Sequence, residues 1–264
     1  MRKILLLMAC TTVAWAQTPA INHGGILNAA SFAVGQGIAP GSVVAIFGSN
    51  LASGLAQADT VPLTTALANV KVSFNGQDAP LFFVSPGQIN AQVPFEVAAG
   101  GNVNVVVNFN GSSSTAEVVP TVSMAPGVFA TPDGHAIAVD VQDPASARYG
   151  TLSAPPGSIP GLTTFPAQVG DNVFLYATGL GAVDPPATTG AGGGATVLHK
   201  TVNQPVVMIG GVNAQVVFSG LTSGFPGVYQ VNFVVPAGVS GSALPLQIQM
   251  GGITSTPSAT IAVQ

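Results

Sequence analysis

Apolar and polar side chains alternate with a period of two along most of this chain, in short runs broken by Gly, Pro and Asn-Gly pairs. Such a period places successive side chains on opposite faces of an extended strand. Val70, Val72 and Phe74 share one face and Lys71 and Ser73 the other, and Asn75-Gly76 supplies the positive φ values of a tight hairpin turn. A return strand is expected over 79–84, and Ser85-Pro86-Gly87-Gln88 reads as the next turn. The strand after it, 89–93, directs Ile89, Ala91 and Val93 inward and Asn90 and Gln92 outward, and Pro94 ends it by removing a ladder donor. Val103, Val105, Val107 and Phe109 line the inner face of the clearest hairpin, which turns at Asn110-Gly111 and returns over 113–119. The run 42–47 departs from alternation: its continuous apolar stretch suits a strand buried on both faces. Residues 17–40 read as an extended lead-in without a helix.

The same plan occurs twice. GSVVAIFGSNLA at 41–52 has an echo, GDNVFLYATGLG, at 170–181. The segment 206–209 with Gly210-Gly211 answers to Val70 and its turn, and 231–236 (VNFVVP) parallels 89–94 (INAQVP). Leu244, Leu246, Ile248 and Met250 then restore the inward face before Gly251-Gly252. Matches at four places in one order predict an all-β protein of two tandem β-sandwich modules, arising from an internal duplication, at 17–122 and 123–264. The second would include further strands at 127–130 and 135–141 and a Pro/Gly-rich inter-module segment, 142–169, whose stretch 153–166 is expected to be a mobile loop.

Residues 1–16 have the three parts of a secretory signal: Arg2 and Lys3, an apolar run from Ile4, and Ala14 and Ala16 flanking Trp15. Cleavage is expected after Ala16, giving a secreted or cell-surface protein. The alternative is lipidation at Cys10 within Leu7-Met8-Ala9-Cys10. Cys10 is the single cysteine, so disulfides play no part in the fold. No run reaches the roughly 20 apolar residues of a transmembrane segment.

Charge narrows the partners. Loss of Arg2 and Lys3 takes the formal net charge from −4 to −6 and leaves Lys71, Arg148 and Lys200 as the only cations. Three scattered cations cannot form a phosphate-binding stripe, so nucleic acid is not expected as a partner. The glycines of 41–52 do not make a phosphate loop either, since neither lysine nor helix follows.

Candidate chemistry is thin. Asp133, His135, Asp140 and Asp143 form the densest polar cluster and could hold a cation, yet Asp133-Gly134 and Asp143-Pro144 are ordinary turn pairs. There is no Gly-x-Ser-x-Gly nucleophile elbow, and His23, His135 and His199 lack recognisable partner spacing. Most aromatic residues occupy inward strand positions. Tyr149, Phe165 and Phe225 sit beside Gly or Pro in loops and are the aromatic candidates for ligand contact. No catalytic, cofactor-binding or metal residue is assigned.

The phrases GGILNAASF, IAPGSVVAIFGSNLA, PLFFVSPGQINAQVPFEV, APGVF, VFLYATGLG and FPGVYQVNFVVP together resemble the Solibacter-type C-terminal domain, a family of secreted acidobacterial proteins usually found at the end of larger extracellular chains. APGSVVAIFGSNL separately resembles the opening strands of IPT/TIG domains. That resemblance implies immunoglobulin-like sandwiches and an adhesive or spacer role outside the cell. The expected function is a secreted, non-catalytic binding, adhesive or spacer protein whose partner is an extracellular polysaccharide or a cell-envelope protein. The alternatives are an extracellular hydrolase or metal-dependent enzyme with its site in the loops of the second module, and a sorting or assembly module for surface display.

Overall fold

The computed structural model describes residues 18–194, 196–257 and 259–264. The expected secretory signal, 1–16, and the lipidation alternative at Cys10 lie outside the described residues. Every regular element among those described is a β-strand, and the strands enclose two separate hydrophobic cores. The protein is all-β, two tandem immunoglobulin-like sandwiches.

In the first sandwich one sheet has the order Ala20–Asn28, Val43–Ser49, Gln88–Gln92, Leu81–Val84, Ala56–Gln57. The facing sheet has Glu117–Pro120, Asn102–Phe109, Val70–Phe74, Gln77–Asp78. Val44, Ile46, Ile89 and Ala91 from one sheet meet Val70, Val72, Phe74, Val103, Val105 and Val107 from the other. Alternation was thus a faithful guide to facing. The lead-in 17–40 holds a full strand, Ala20–Asn28, whose glycines and polar residues hid it. The expected return strand 79–84 is two pieces: Gln77–Asp78 stays with Val70–Phe74, whereas Leu81–Val84 crosses to the other sheet. Pro80 between them has no N–H to continue either ladder.

The second sandwich repeats this order strand for strand. Ala138–Asp140, Asn172–Thr178, Tyr229–Val234, the second half of Val212–Leu221 and Lys200–Thr201 form one face. Ala259–Val263, Gly241–Met250, Val206–Ile209 and the first half of Val212–Leu221 form the other. Here the two pieces fuse into one strand that serves both sheets, so the whole second module is hydrogen-bonded into a single eleven-stranded arrangement. Both modules bulge at the same place: Phe82 lies between the pairs Leu81/Ala91 and Phe83/Asn90, and Val217 between Val216/Phe233 and Phe218/Asn232.

The echo at 170–181 is conformational as well as chemical. Gly41 and Gly170 both have positive φ, 76° and 89°, and so do Asn50 and Gly179, 56° and 76°. Leu51 and Leu180 follow them into the two cores. The second copy is fastened by Tyr229, whose buried hydroxyl donates to the Gly181 carbonyl. Burial alone pushes the Tyr229 phenol far above its ordinary pKa, so it stays a donor. Tyr229→Phe leaves that carbonyl unpaired and is expected to lower stability by about 1–2 kcal/mol in urea denaturation.

The segment 142–169 is no tether strung between modules. It packs along the second sandwich: Ser153, Ala154 and Thr164 are buried, Ser153 N–H donates to Ala138, and Ser153 accepts from Ala262 N–H.

The modules meet through a polar seam. Val43 N–H donates to Thr178 Oγ1 (2.8 Å), and Thr178 Oγ1 donates to the Gly227 carbonyl (2.7 Å). Gln92, expected to face outward into solvent, is fully buried here: its Oε1 accepts from Gly190 N–H at 2.7 Å. Thr189 Oγ1 accepts from Phe95 N–H and donates to Glu96, while the Phe95 ring packs on the second core. A Cβ on Gly227 would lie 2.6 Å from the Gly41 carbonyl oxygen, so the backbones themselves are in contact. This seam explains why the strand Val43–Ser49 begins with an apolar residue on each face. Val43 points away from its own core yet is buried under the second sandwich, whereas its counterpart Asn172 is exposed.

Candidate functional site

The sequence candidates for metal or acid-base chemistry do not converge. Asp133 and Asp143 are exposed in turns, and His135 Nδ1 lies 3.2 Å from Thr260 Oγ1. Asp140 is buried instead beside Asp171 and Arg148. His23 pairs with Glu117 (3.1 Å), and His199 Nδ1 lies 2.7 Å from the Pro185 carbonyl, far along the chain from either. Among the described residues no group of three or more His, Cys, Asp or Glu side chains is placed to hold a metal ion.

The Asp140–Arg148–Asp171 group is structural in its geometry. Arg148 donates to Asp171 through Nη1 at 2.6 Å and Nη2 at 3.5 Å, and Asp171 also accepts from Gln168 N–H. Asp140 keeps one oxygen, Oδ2, without a hydrogen bond, 3.9 Å from the guanidinium. Burial first, then the negative charge of Asp171, hold the Asp140 carboxyl above its ordinary range, against the Gln142 N–H that favours its ionised form.

The surface feature that alternation could not reveal lies on the outer face of the second sandwich. Outward positions on four neighbouring strands fall into two register rows. One row runs Ile137, Tyr176, Gln230, Gly220; the other has Phe174, Asn232 and Phe218. Phe174 and Tyr176 pack edge to face with centroids 5.2 Å apart. Gln230 Nε2 donates to Asn232 Oδ1 at 2.8 Å, which orients the two amides as a ridge. On one side of that ridge Phe129, Ile137, Tyr176, Phe225 and Val228 line an apolar cleft of about 280 Å³. On the other, Leu198, Phe218 and Leu221 flank the amides in a second cleft of about 320 Å³.

Of the three loop aromatics singled out in the sequence, Phe225 belongs to this site, 59% exposed at its rim. Tyr149 is exposed beside Arg148 and Phe165 is half-buried on the 142–169 segment, both outside the site. Tyr176, Phe174, Gln230 and Asn232 were missed because a period of two says which residues face outward, not which outward residues are left uncovered. The signal available was Phe174 and Tyr176 themselves: aromatic side chains at positions the pattern assigns to the outside.

No curated protein sequence matches the chain. Among solved structures, SGBP-B of a Bacteroides ovatus mixed-linkage glucan utilization locus, in complex with a mixed-linkage heptasaccharide, aligns at TM-score 0.33 and 13% identity over 86% of this chain and 43% of that one. The plexin A4 extracellular region aligns at TM-score 0.28 and 11% identity, with 98% of this chain spanning 20% of it. Domains 5-6 of the S-layer protein SbsC align at TM-score 0.25 and 12% identity over 93% of this chain and 98% of that one. Residues 33–120, the part of the first sandwich that begins just before the strand Val43–Ser49, match the IPT/TIG domain family.

Proposed function

We propose that the protein is a secreted, non-catalytic binding and spacer element that holds a neutral polysaccharide on the outer sheet face of its second module, 123–264, with 17–122 as the first. The observation that carries this reading is the half-exposed set Phe174, Tyr176 and Phe218 arranged around the Gln230–Asn232 amide ridge. Aromatic faces stack on the C–H faces of sugar rings, while amide N–H and C=O groups exchange hydrogen bonds with hydroxyls. The row from Ile137 to Gly220 crosses three strand spacings, about 14 Å, which suits an extended chain lying across the strands. Ionic recognition has little to act on there: the only ionised side chain the register adds is Lys200, opposite Gly220 at the sheet margin.

The test is affinity electrophoresis of the mature protein in gels containing mixed-linkage β-glucan, xyloglucan, xylan or mannan, followed by calorimetry on the retained polysaccharide. Tyr176→Ala is expected to weaken binding about thirtyfold, the size of an interface hot spot, with Gln230→Ala a smaller loss. Absence of retardation in all four gels, or unchanged binding by Tyr176→Ala, overturns the reading.

A further inference from the structure

We propose that the first sandwich carries a second copy of the same site, so that one protein grips a single polysaccharide chain at two places held at a fixed separation. The proposal rests on the polysaccharide reading of the second sandwich. Strand-for-strand equivalence puts Phe47 at the position of Tyr176, Gln88 at that of Gln230, Asn90 at that of Asn232, and Phe83 at that of Phe218. All four are half-exposed on the outer side of their sheet. Gln88 Nε2 donates to Asn90 Oδ1 at 2.8 Å, reproducing the amide ridge atom for atom. Phe83 faces Asn90 across the same bulge that sets Phe218 against Asn232.

Other outward positions of these strands have diverged: Val43 corresponds to Asn172, Ala45 to Phe174, and Gln92 to Val234. Core packing does not require the retained four, since none points into its core. Ala45 removes one ring from the first face, and Phe32 replaces its support from a different element, its ring 6.2 Å from that of Phe47. Four residues join Phe83 to Gln88 where eleven join Phe218 to Gln230, and the shorter connection has no counterpart of Phe225, so the first face lacks the rim of the second. It is therefore the weaker site.

The turn at 225–228 joins the two faces. Phe225 and Val228 line the second site, while Gly227 abuts Gly41 and lies near Gln92 of the first sandwich. A polymer bound at one face meets the other at high effective concentration, which strengthens binding a hundredfold or more over a single site.

The experiment compares cellohexaose, xylohexaose and mannohexaose with the parent polysaccharides, by calorimetry, on the mature protein. The expected stoichiometry is two hexaoses per chain, falling to one in Phe47→Ala, one in Tyr176→Ala and none in the double variant. Polysaccharide affinity is expected to fall at least tenfold in Phe47→Ala and in the milder Asn90→Ala, with thermal denaturation confirming that both remain folded. One hexaose per wild-type chain, lost in Tyr176→Ala and unaffected by Phe47→Ala, overturns the second site and leaves the first reading standing. No binding of any hexaose or polysaccharide overturns both.

Discussion

Arg148→Met is expected to cost about 3 kcal/mol of stability at neutral pH, measured as a loss in urea denaturation of the full chain. Among the described residues the guanidinium is the one cation facing two buried carboxylates: Asp171, 7% exposed in its side chain, and Asp140, 4% exposed. Breaking a buried ion pair from one side leaves uncompensated charge in a poorly solvated place, at about 3–5 kcal/mol when burial is complete. The Arg148 side chain keeps 17% exposure, which argues for the lower end. Because Arg148 lies on the 142–169 segment while Asp140 ends the strand Ala138–Asp140 and Asp171 immediately precedes Asn172–Thr178, the same change is expected to free that segment for proteolysis.

The pH dependence has a definite sign. Asp140 is held above its unfolded pKa, so its contribution to stability is fully present below the ordinary carboxylate value and is lost as pH rises through its raised folded value. Above that window the wild-type protein carries an ionised carboxylate with an unpaired oxygen, Oδ2. Arg148→Met removes the attraction that favours ionisation, so its deficit shrinks as the pH falls through the Asp140 titration. Asp140→Asn in the Arg148→Met background is expected to recover part of the loss at pH 7. A deficit that grows steadily on acidification, or stays below about 1 kcal/mol at every pH, rules out this account.

How much of this was legible from residues follows from which interactions are local. Alternation at 70–74 and 103–109 and the Asn-Gly turns at 75–76 and 110–111 report only on neighbours along one hairpin, and they assign facing correctly. The duplication was legible because the same turn chemistry and strand-ending prolines recur in order. What alternation cannot express is cover from a distant element. Gln92 looks like a solvated strand residue because the group it accepts from, Gly190 N–H, is 98 residues away. Comparison of the repeats held that information: Gln92 answers to Val234 and Val43 to Asn172, and the copies differ where one of them is covered by the other. The amide and aromatic quartets are the converse case. There the copies agree on outward positions that neither packing nor the seam demands.

Thr178→Val is expected to loosen the seam and, with it, binding to long polymers. Valine keeps the shape of threonine but removes the hydroxyl that accepts from Val43 N–H and donates to the Gly227 carbonyl. Thr178 is fully buried, so water cannot readily replace either bond. Two buried backbone groups left unpaired cost about 1–3 kcal/mol each, whereas the volume that the side chain fills in the seam is kept. The penalty falls on the junction rather than on either core, because Val43 is in the first sandwich and Gly227 in the second. Opening the seam relieves it by letting water reach both groups. Small-angle scattering should therefore show a larger maximum dimension and a broader distance distribution, with new protease sensitivity near 222–228. Binding gives a second readout. Hexaose affinity, set within each face, is expected to stay within about twofold, while polysaccharide affinity falls about tenfold because a mobile junction no longer presents two faces at one separation. Thr178→Ser, which keeps the hydroxyl, should behave as the wild type in scattering and in polymer binding. If valine and serine give the same dimensions and the same polysaccharide affinity, the Thr178 bridge does not hold the two sandwiches in register.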